Sequence, residues 1–168
     1  MPSTENNADQ PFLETMIGYE FDDKNWMDRA LTAKSYINEN KEITYHNQPL
    51  ATLGDAVIRV LVMETLYNKG YDEKGDLTKE AETFVKREYL TDIGRGLGLE
   101  HYILWGRGDR SKKIWNEGTV LGEFLESLFG AIFLDGGMVS ARDVFNCMDI
   151  MNIPDKNFND STMNNVNN

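Results

Sequence analysis

TVLGEFLESLFGAIFLDGG (119–137) is the stretch on which the fold turns. Apolar residues run through it at helical spacing, and it stops at Gly136-Gly137. Two acids, Glu123 and Glu126, interrupt the apolar run three residues apart, so on a helix they share a face. Gly130 lies a turn further along that face. A second stretch, LATLGDAV (50–57), carries a single acid, Asp55, on the face of Ala51 with Gly54 beside it. Small residues beside acids on otherwise apolar helices let two helices approach closely. Carboxylates gathered in such a gap repel, by about 4 kcal/mol for a pair about 4 Å apart near a surface. A hard divalent metal removes that cost, and oxygen-only ligands favour Mg²⁺ or Mn²⁺ over zinc. The two stretches therefore predict a metal site built from Asp55, Glu123 and Glu126.

The composition limits the alternatives. A chain of 168 residues with 40% hydrophobic content suits one globular domain with its own core. The net charge of −11 is the wrong sign for holding nucleic acid by overall charge. Any such contact has to come from local basic patches, a metal or a partner. The single cysteine, Cys147, excludes an internal disulfide framework and fits a reducing, cytoplasmic setting. Its expected place is the core or the core's edge. One Cys and two His make a zinc site a poor fit. No apolar run approaches the length of a membrane span, so no membrane is expected as a partner. The polar start, MPSTENNADQ, reads as neither a secretory signal nor a basic transit peptide.

The organisation reads as a disordered lead over 1–10, a folded domain over 11–151 and a disordered, Asn-rich tail over 152–168. Strand signals are weak and helical signals strong. A first helix is expected from Pro11 to Ile17, and a second capped by Asp23 and running through Trp26, Met27, Ala30 and Leu31. A long helix starts near Pro49 and ends at Gly70. One or two helices are expected from Leu77 to Leu97. GRGDRSKKIWNEG (106–118) reads as a polar, basic loop. Thr119 is then positioned to cap the acid-bearing helix, and Ser140 a final one with Val144, Phe145 and Met148 inward. The fold class is all-α.

At this point four segments, in order, resemble the ribonuclease III family. LETMIGYEFDDKNWMDRALTAKSYINEN (13–40) is similar to the family's opening, and LATLGDAV to its signature helix. GDLTKEAETFVKREYLTDIGRGLGL (75–99) resembles its middle helices, and LGEFLESLFGAIFLDGG (121–137) its second catalytic helix. The resemblance implies a ribonuclease III-like endonuclease domain, a two-fold dimer, and Mg²⁺-dependent hydrolysis of double-stranded RNA. It puts Asp55 on the signature aspartate, Glu126 on the catalytic glutamate, and Glu123 where an aspartate is usual. Ala51 stands where a glutamate ligand is usual, and Gln48 where another acid is common. Stand-alone members without a double-stranded-RNA-binding domain, the Mini-III type, share that alanine, and a compact member of that kind is the expectation.

Phosphodiester hydrolysis needs an activated water and a way to neutralise phosphoryl charge, and bound Mg²⁺ supplies both. Asp55 and Glu126 are the expected catalytic residues, and Asp55, Glu123 and Glu126 the expected metal ligands. With Ala51 uncharged, one tightly held metal is expected before substrate binds. Arg107, Arg110, Lys112 and Lys113 are the expected contacts to double-stranded or structured RNA. Lys79, Lys86 and Arg87 have acids interleaved and read as a solvated face. Trp105 and Trp115 read as packing residues, His46 as a surface residue, and Arg59 as a surface ion pair or a partner contact. The dimer comes from the resemblance alone. Two other readings remain open: a non-catalytic ribonuclease III-like domain that binds RNA or protein, favoured by Ala51 and Gln48, and a helical adaptor, which leaves the acids unexplained.

Overall fold

A computed structural model describes residues 10–151. The expected disordered lead and tail lie outside those residues, apart from Gln10, which opens the first helix. Among the described residues the chain forms eight α-helices and no strand: α1 Gln10–Ile17, α2 Lys24–Ala30, α3 Lys34–Glu39, α4 Gln48–Asn68, α5 Lys74–Val85, α6 Arg87–Gly96, α7 Arg107–Lys112 and α8 Val120–Cys147. One isolated parallel bridge joins Thr32 to Leu104.

The centre is the pair α4 and α8. On α8, Phe124, Leu125, Leu128, Phe129, Ala131 and Ile132 are buried, and on α4 Leu50, Val57, Ile58, Leu61, Val62 and Leu66. Each large side chain so buried contributes about 1.5–3 kcal/mol. The helices touch backbone to backbone where they cross. A Cβ on Gly54 would overlap the carbonyl oxygen of Glu126 and lie 2.8 Å from the Gly130 nitrogen. A Cβ on Gly130 would overlap the carbonyl oxygen of Leu50. Only glycine permits this approach from both sides.

Two further contacts hold α8. Its first turn lies on α6, where the Gly122 N–H donates to Thr91 Oγ1 at 3.1 Å. A Cβ on Gly122 would sit 2.7 Å from the Arg87 carbonyl oxygen. Further along, the buried Ser127 hydroxyl donates to the Ala30 carbonyl at the end of α2, at 2.9 Å. Asp23 caps α2 as expected, accepting from the Asn25 N–H at 3.0 Å. Asp135 ties the α1–α2 link to α8, accepting from the Tyr19 hydroxyl at 2.7 Å and from the N–H groups of Asp22 and Asp23 at 2.9 and 3.0 Å. Desolvation pushes its carboxyl up, but these hydrogen bonds outweigh it and hold the pKa below 3.8. Its stabilisation is therefore present above pH 3.8 and lost as pH falls through the lower folded value.

Several expectations need correction. Residues 106–118 are not a loop: they hold α7 and a 3₁₀ turn, Ile114–Asn116. The reason is tertiary. The Gly106 N–H donates to Ser35 Oγ at 3.1 Å and the Arg107 N–H to Glu39 Oε1 at 2.9 Å, so α3 satisfies the start of α7. Thr119 makes no side-chain cap. The break expected at Gly136-Gly137 is present, since Gly137 has non-helical φ 76° and ψ −174° and divides α8 into two helical segments, but the second segment resumes at once and runs to Cys147. Ser140 thus lies inside the resumed helix. Cys147 is exposed rather than in the core: it is the last residue of α8, with its Sγ facing Gly18. By length and composition alone α8, with 28 residues and an 18-residue stretch of mean hydropathy 1.3, could cross a bilayer, but 56% of that stretch is buried inside the protein. Most of its large apolar residues belong to the core, Leu134 and Val139 being exposed.

The α4–α8 crossing predicts that Gly54→Ala and Gly130→Ala each destabilise by about 3 kcal/mol or more, the upper range for overpacking, since backbone has to move. Gly75→Ala on α5, with nothing within 4 Å of its Cβ, is the control and is expected to be neutral or mildly stabilising. Urea denaturation checks this, and equal effects at all three positions would contradict the close crossing.

Candidate active site

Gln48, Ala51, Thr52 and Asp55 fall on one face of α4 by helical spacing. The glycine crossing brings that face against Glu123 and Glu126 of α8, and the α5–α6 junction adds Val85 and Arg87. Together these eight residues line one open cavity of about 490 Å³. All three acids singled out in the sequence thus open on the same space.

Their environments differ. Glu126 is 3% exposed, because it sits where the two backbones meet. Arg87, half exposed, reaches it with Nη2 to Oε2 at 3.3 Å and Nε to Oε1 at 3.5 Å. The same guanidinium lies 3.5 Å from Glu123 through Nη1. The other Glu123 oxygen accepts from Asn47 Nδ2 at 2.9 Å. Asn47 is buried, and its backbone N–H donates to the Thr32 carbonyl at 2.9 Å, so it is a fixed support. Asp55 is half-buried and makes no hydrogen bond or ion pair among the described residues.

Burial pushes the Glu126 carboxyl above its ordinary 4.5. The Arg87 charge and hydrogen bond pull it back, while Asp55 and Glu123 push it further up. The pair is arranged as a buried carboxylate with one counter-ion, and removing the counter-ion leaves a buried charge uncompensated.

The donor set fits a hard divalent cation in chemistry. It offers three carboxylates beside the Gln48 amide and the Thr52 hydroxyl, and three acids against one arginine leave a net charge of −2 on the cavity. The side chains are nonetheless arranged around Arg87. Among the described residues no three His, Cys, Asp or Glu side chains stand close enough to hold an ion. Ala51 and Gln48 contribute no charge on the α4 side.

The four basic residues expected to meet RNA are elsewhere. Arg107, Arg110, Lys112 and Lys113 are exposed on and just after α7, and none lines the acid cavity. Arg107 lies 3.8 Å from Glu39. Trp105 is buried and packs on Trp115 and Phe124, with ring centroids 5.3 and 5.1 Å away, as the packing reading expected. Arg59 pairs with Glu82 at 2.8 Å on the surface. His46 accepts from the Gln48 N–H at 3.3 Å, and burial followed by the Lys34 charge lowers its pKa. Two site residues escaped the sequence reading. Asn47 carries no local signal. Arg87, read as part of a solvated face, is brought to the acids by the α6–α8 contact at Gly122.

A family model described as Ribonuclease-III-like matches residues 23–152. The chain belongs to the ribonuclease III family. The chain is 32% identical to Ribonuclease 3 of Streptococcus uberis over 151 residues, covering 89% of this chain and 66% of that protein. It is 36% identical to Ribonuclease 3 of Oleidesulfovibrio alaskensis over 130 residues, covering 77% and 57%. The chain thus spans about three fifths of the length of these ribonuclease III relatives. A solved nuclease domain of ribonuclease III from Campylobacter jejuni superposes with a TM-score of 0.74 at 31% identity, covering 88% of this chain and 96% of that one. The all-α ribonuclease III-like fold expected from the sequence is therefore the observed one.

A raised folded pKa means that the favourable term from Glu126 is fully present below pH 4.5 and is lost as pH rises through the folded value. Metal-free Glu126→Gln is expected to be more stable than wild type at pH 7, with the gap closing as pH falls toward 4.5. Thermal denaturation across pH checks this. A variant less stable at pH 7 would mean that the Arg87 pairing outweighs the burial cost.

Proposed function

We propose that this protein is a metal-dependent endoribonuclease that hydrolyses phosphodiester bonds of double-stranded or structured RNA. What carries the reading is that Asp55, Glu123 and Glu126, from two helices far apart in sequence, open on one cavity. The family of the chain supports the reaction class. Asp55 and Glu126 are the catalytic acids, and Asp55, Glu123 and Glu126 hold the cation, Mg²⁺ or Mn²⁺. When bound, such an ion supplies an activated water and charge neutralisation at the phosphate. The chain's own part is to fix the carboxylates: the glycine crossing sets Glu126, Asn47 orients Glu123, and α4 presents Asp55 without a competing partner.

Arg107, Arg110, Lys112 and Lys113 are proposed as phosphate contacts on an RNA strand that runs beyond the cavity. The protein is proposed to act as a homodimer. Exposed Val60 and Tyr67 on α4, exposed Leu134 on α8 and an apolar cavity of about 390 Å³ beside Leu53 and Leu134 support an interface on that side. A cytoplasmic, reducing setting fits the single cysteine. The second reading, a non-catalytic domain binding RNA or protein, is favoured by Ala51, Gln48 and the pairing of two acids with Arg87.

Incubation with a panel of double-stranded RNAs in Mg²⁺ or Mn²⁺ separates the two. Wild type is expected to cleave, and Asp55→Asn and Glu126→Gln each to lose about 10²–10³-fold in rate. Cleavage that survives both substitutions, or none on any structured RNA, contradicts the nuclease reading. RNA affinity is expected to fall steeply with salt, and removing one of the four basic side chains to reduce the logarithmic slope by about one. Filter binding over a salt series reads this, and an unchanged slope would remove these residues from the interface.

A further inference from the structure

We infer that Arg87 is a built-in cation of the acid cavity, which limits it to one divalent ion and sets how tightly that ion is held. The inference rests on the metal-dependent reading above and concerns this chain's own departure from an all-acid site.

Geometry and charge both lead there. Arg87 opens α6, and its backbone is fixed: its carbonyl lies against Gly122, and the Gly122 N–H is held by Thr91. From that anchor one guanidinium contacts Glu126 through two nitrogens and Glu123 through a third. A planar fork suits two adjacent carboxylates, which an ammonium meets only as a point charge. The other arginine pairs, Arg59–Glu82, Arg95–Asp92, Arg107–Glu39 and Arg142–Glu64, join exposed partners on the surface. Arg87 alone among these arginines neutralises a carboxylate buried to 4% exposure.

Counting formal charges on the cavity lining, Asp55, Glu123 and Glu126 against Arg87 leave −2. One divalent ion balances that; two would leave +2 with Arg87 present, against +1 without it. Ala51 and Gln48 add no donor charge for a second ion. Arg87 therefore does for Glu126 what another metal ion would do, and it is a positioning residue rather than one that touches the reacting atoms. Replacing it with a neutral residue makes the cavity −3, which favours tighter or additional cation binding.

Electron paramagnetic resonance of free Mn²⁺ over a titration of the full chain counts bound ions. Wild type is expected to bind one per chain. Arg87→Gln is expected to bind at least about tenfold more tightly or to take a second ion, with a larger Mn²⁺-dependent rise in Tm. Arg87→Lys, keeping the charge, should stay near wild type in stoichiometry. Should Arg87→Gln fold poorly, Arg87→Met, which keeps the length of the side chain and likewise leaves −3, is titrated in its place with the same expected result. Equal stoichiometry and affinity in wild type and Arg87→Gln, two ions in wild type, or no binding to either would overturn the inference. RNA cleavage is scored separately. Expected Mn²⁺ counts without cleavage would sink the nuclease reading alone, and cleavage with unchanged counts would sink only the role of Arg87.

Discussion

The backbone contact between α4 and α8 is the constraint from which the rest of the molecule follows. Gly54 rests on the carbonyl of Glu126, and Gly130 on that of Leu50. No side chain larger than hydrogen fits on either side, so the crossing point and the register of the two helices are set together. That register buries Phe124, Phe129 and Leu61, puts Glu126 at the crossing and leaves Glu123 and Asp55 on the same cavity. Site and core are thus products of a single contact. A shift of α8 by one residue would turn Glu123 and Glu126 away from Asp55 and expose part of the apolar face.

Placing Glu126 at that crossing has an electrostatic cost. A carboxylate removed from water favours its neutral form, and two more acids nearby strengthen the preference. The molecule offsets this from α6, whose first residue delivers Arg87 to both glutamates. The α6–α8 contact at Gly122 and Thr91 is therefore electrostatic support as well as packing. Asn47 does the parallel work on the opposite side, holding Glu123 from the start of α4. Asp55 is half-exposed and makes no hydrogen bond or ion pair among the described residues, though its charge acts on Arg59 and Glu126.

Much of this was legible in the sequence because it depends on local periodicity. The 119–137 stretch declares a helix with two acids on one face, and Gly54 and Gly130 announce the close approach. What was not legible depends on contacts between distant segments. Arg87 looks like one charge among the interleaved acids of its own neighbourhood, and nothing local says that Gly122 lies against its carbonyl. The start of α7 reads as loop because its N–H partners, Ser35 and Glu39, belong to α3. The Gly136-Gly137 break is legible because a Gly-Gly pair interrupts a helix, whereas the immediate restart that puts Ser140 inside the second segment has no local signal. Cys147 reads as a core or core-edge thiol by residue type, whereas the last position of α8 leaves it exposed.

For the proposed chemistry the acids around this crossing have to form a cation site open to phosphate. Anomalous diffraction from crystals soaked in Mn²⁺ tests it most directly. The expected result is a manganese peak inside the cavity, coordinated by Asp55 together with Glu123 or Glu126. A cavity without a peak at millimolar Mn²⁺, with Arg87 still closed over both glutamates, would contradict it.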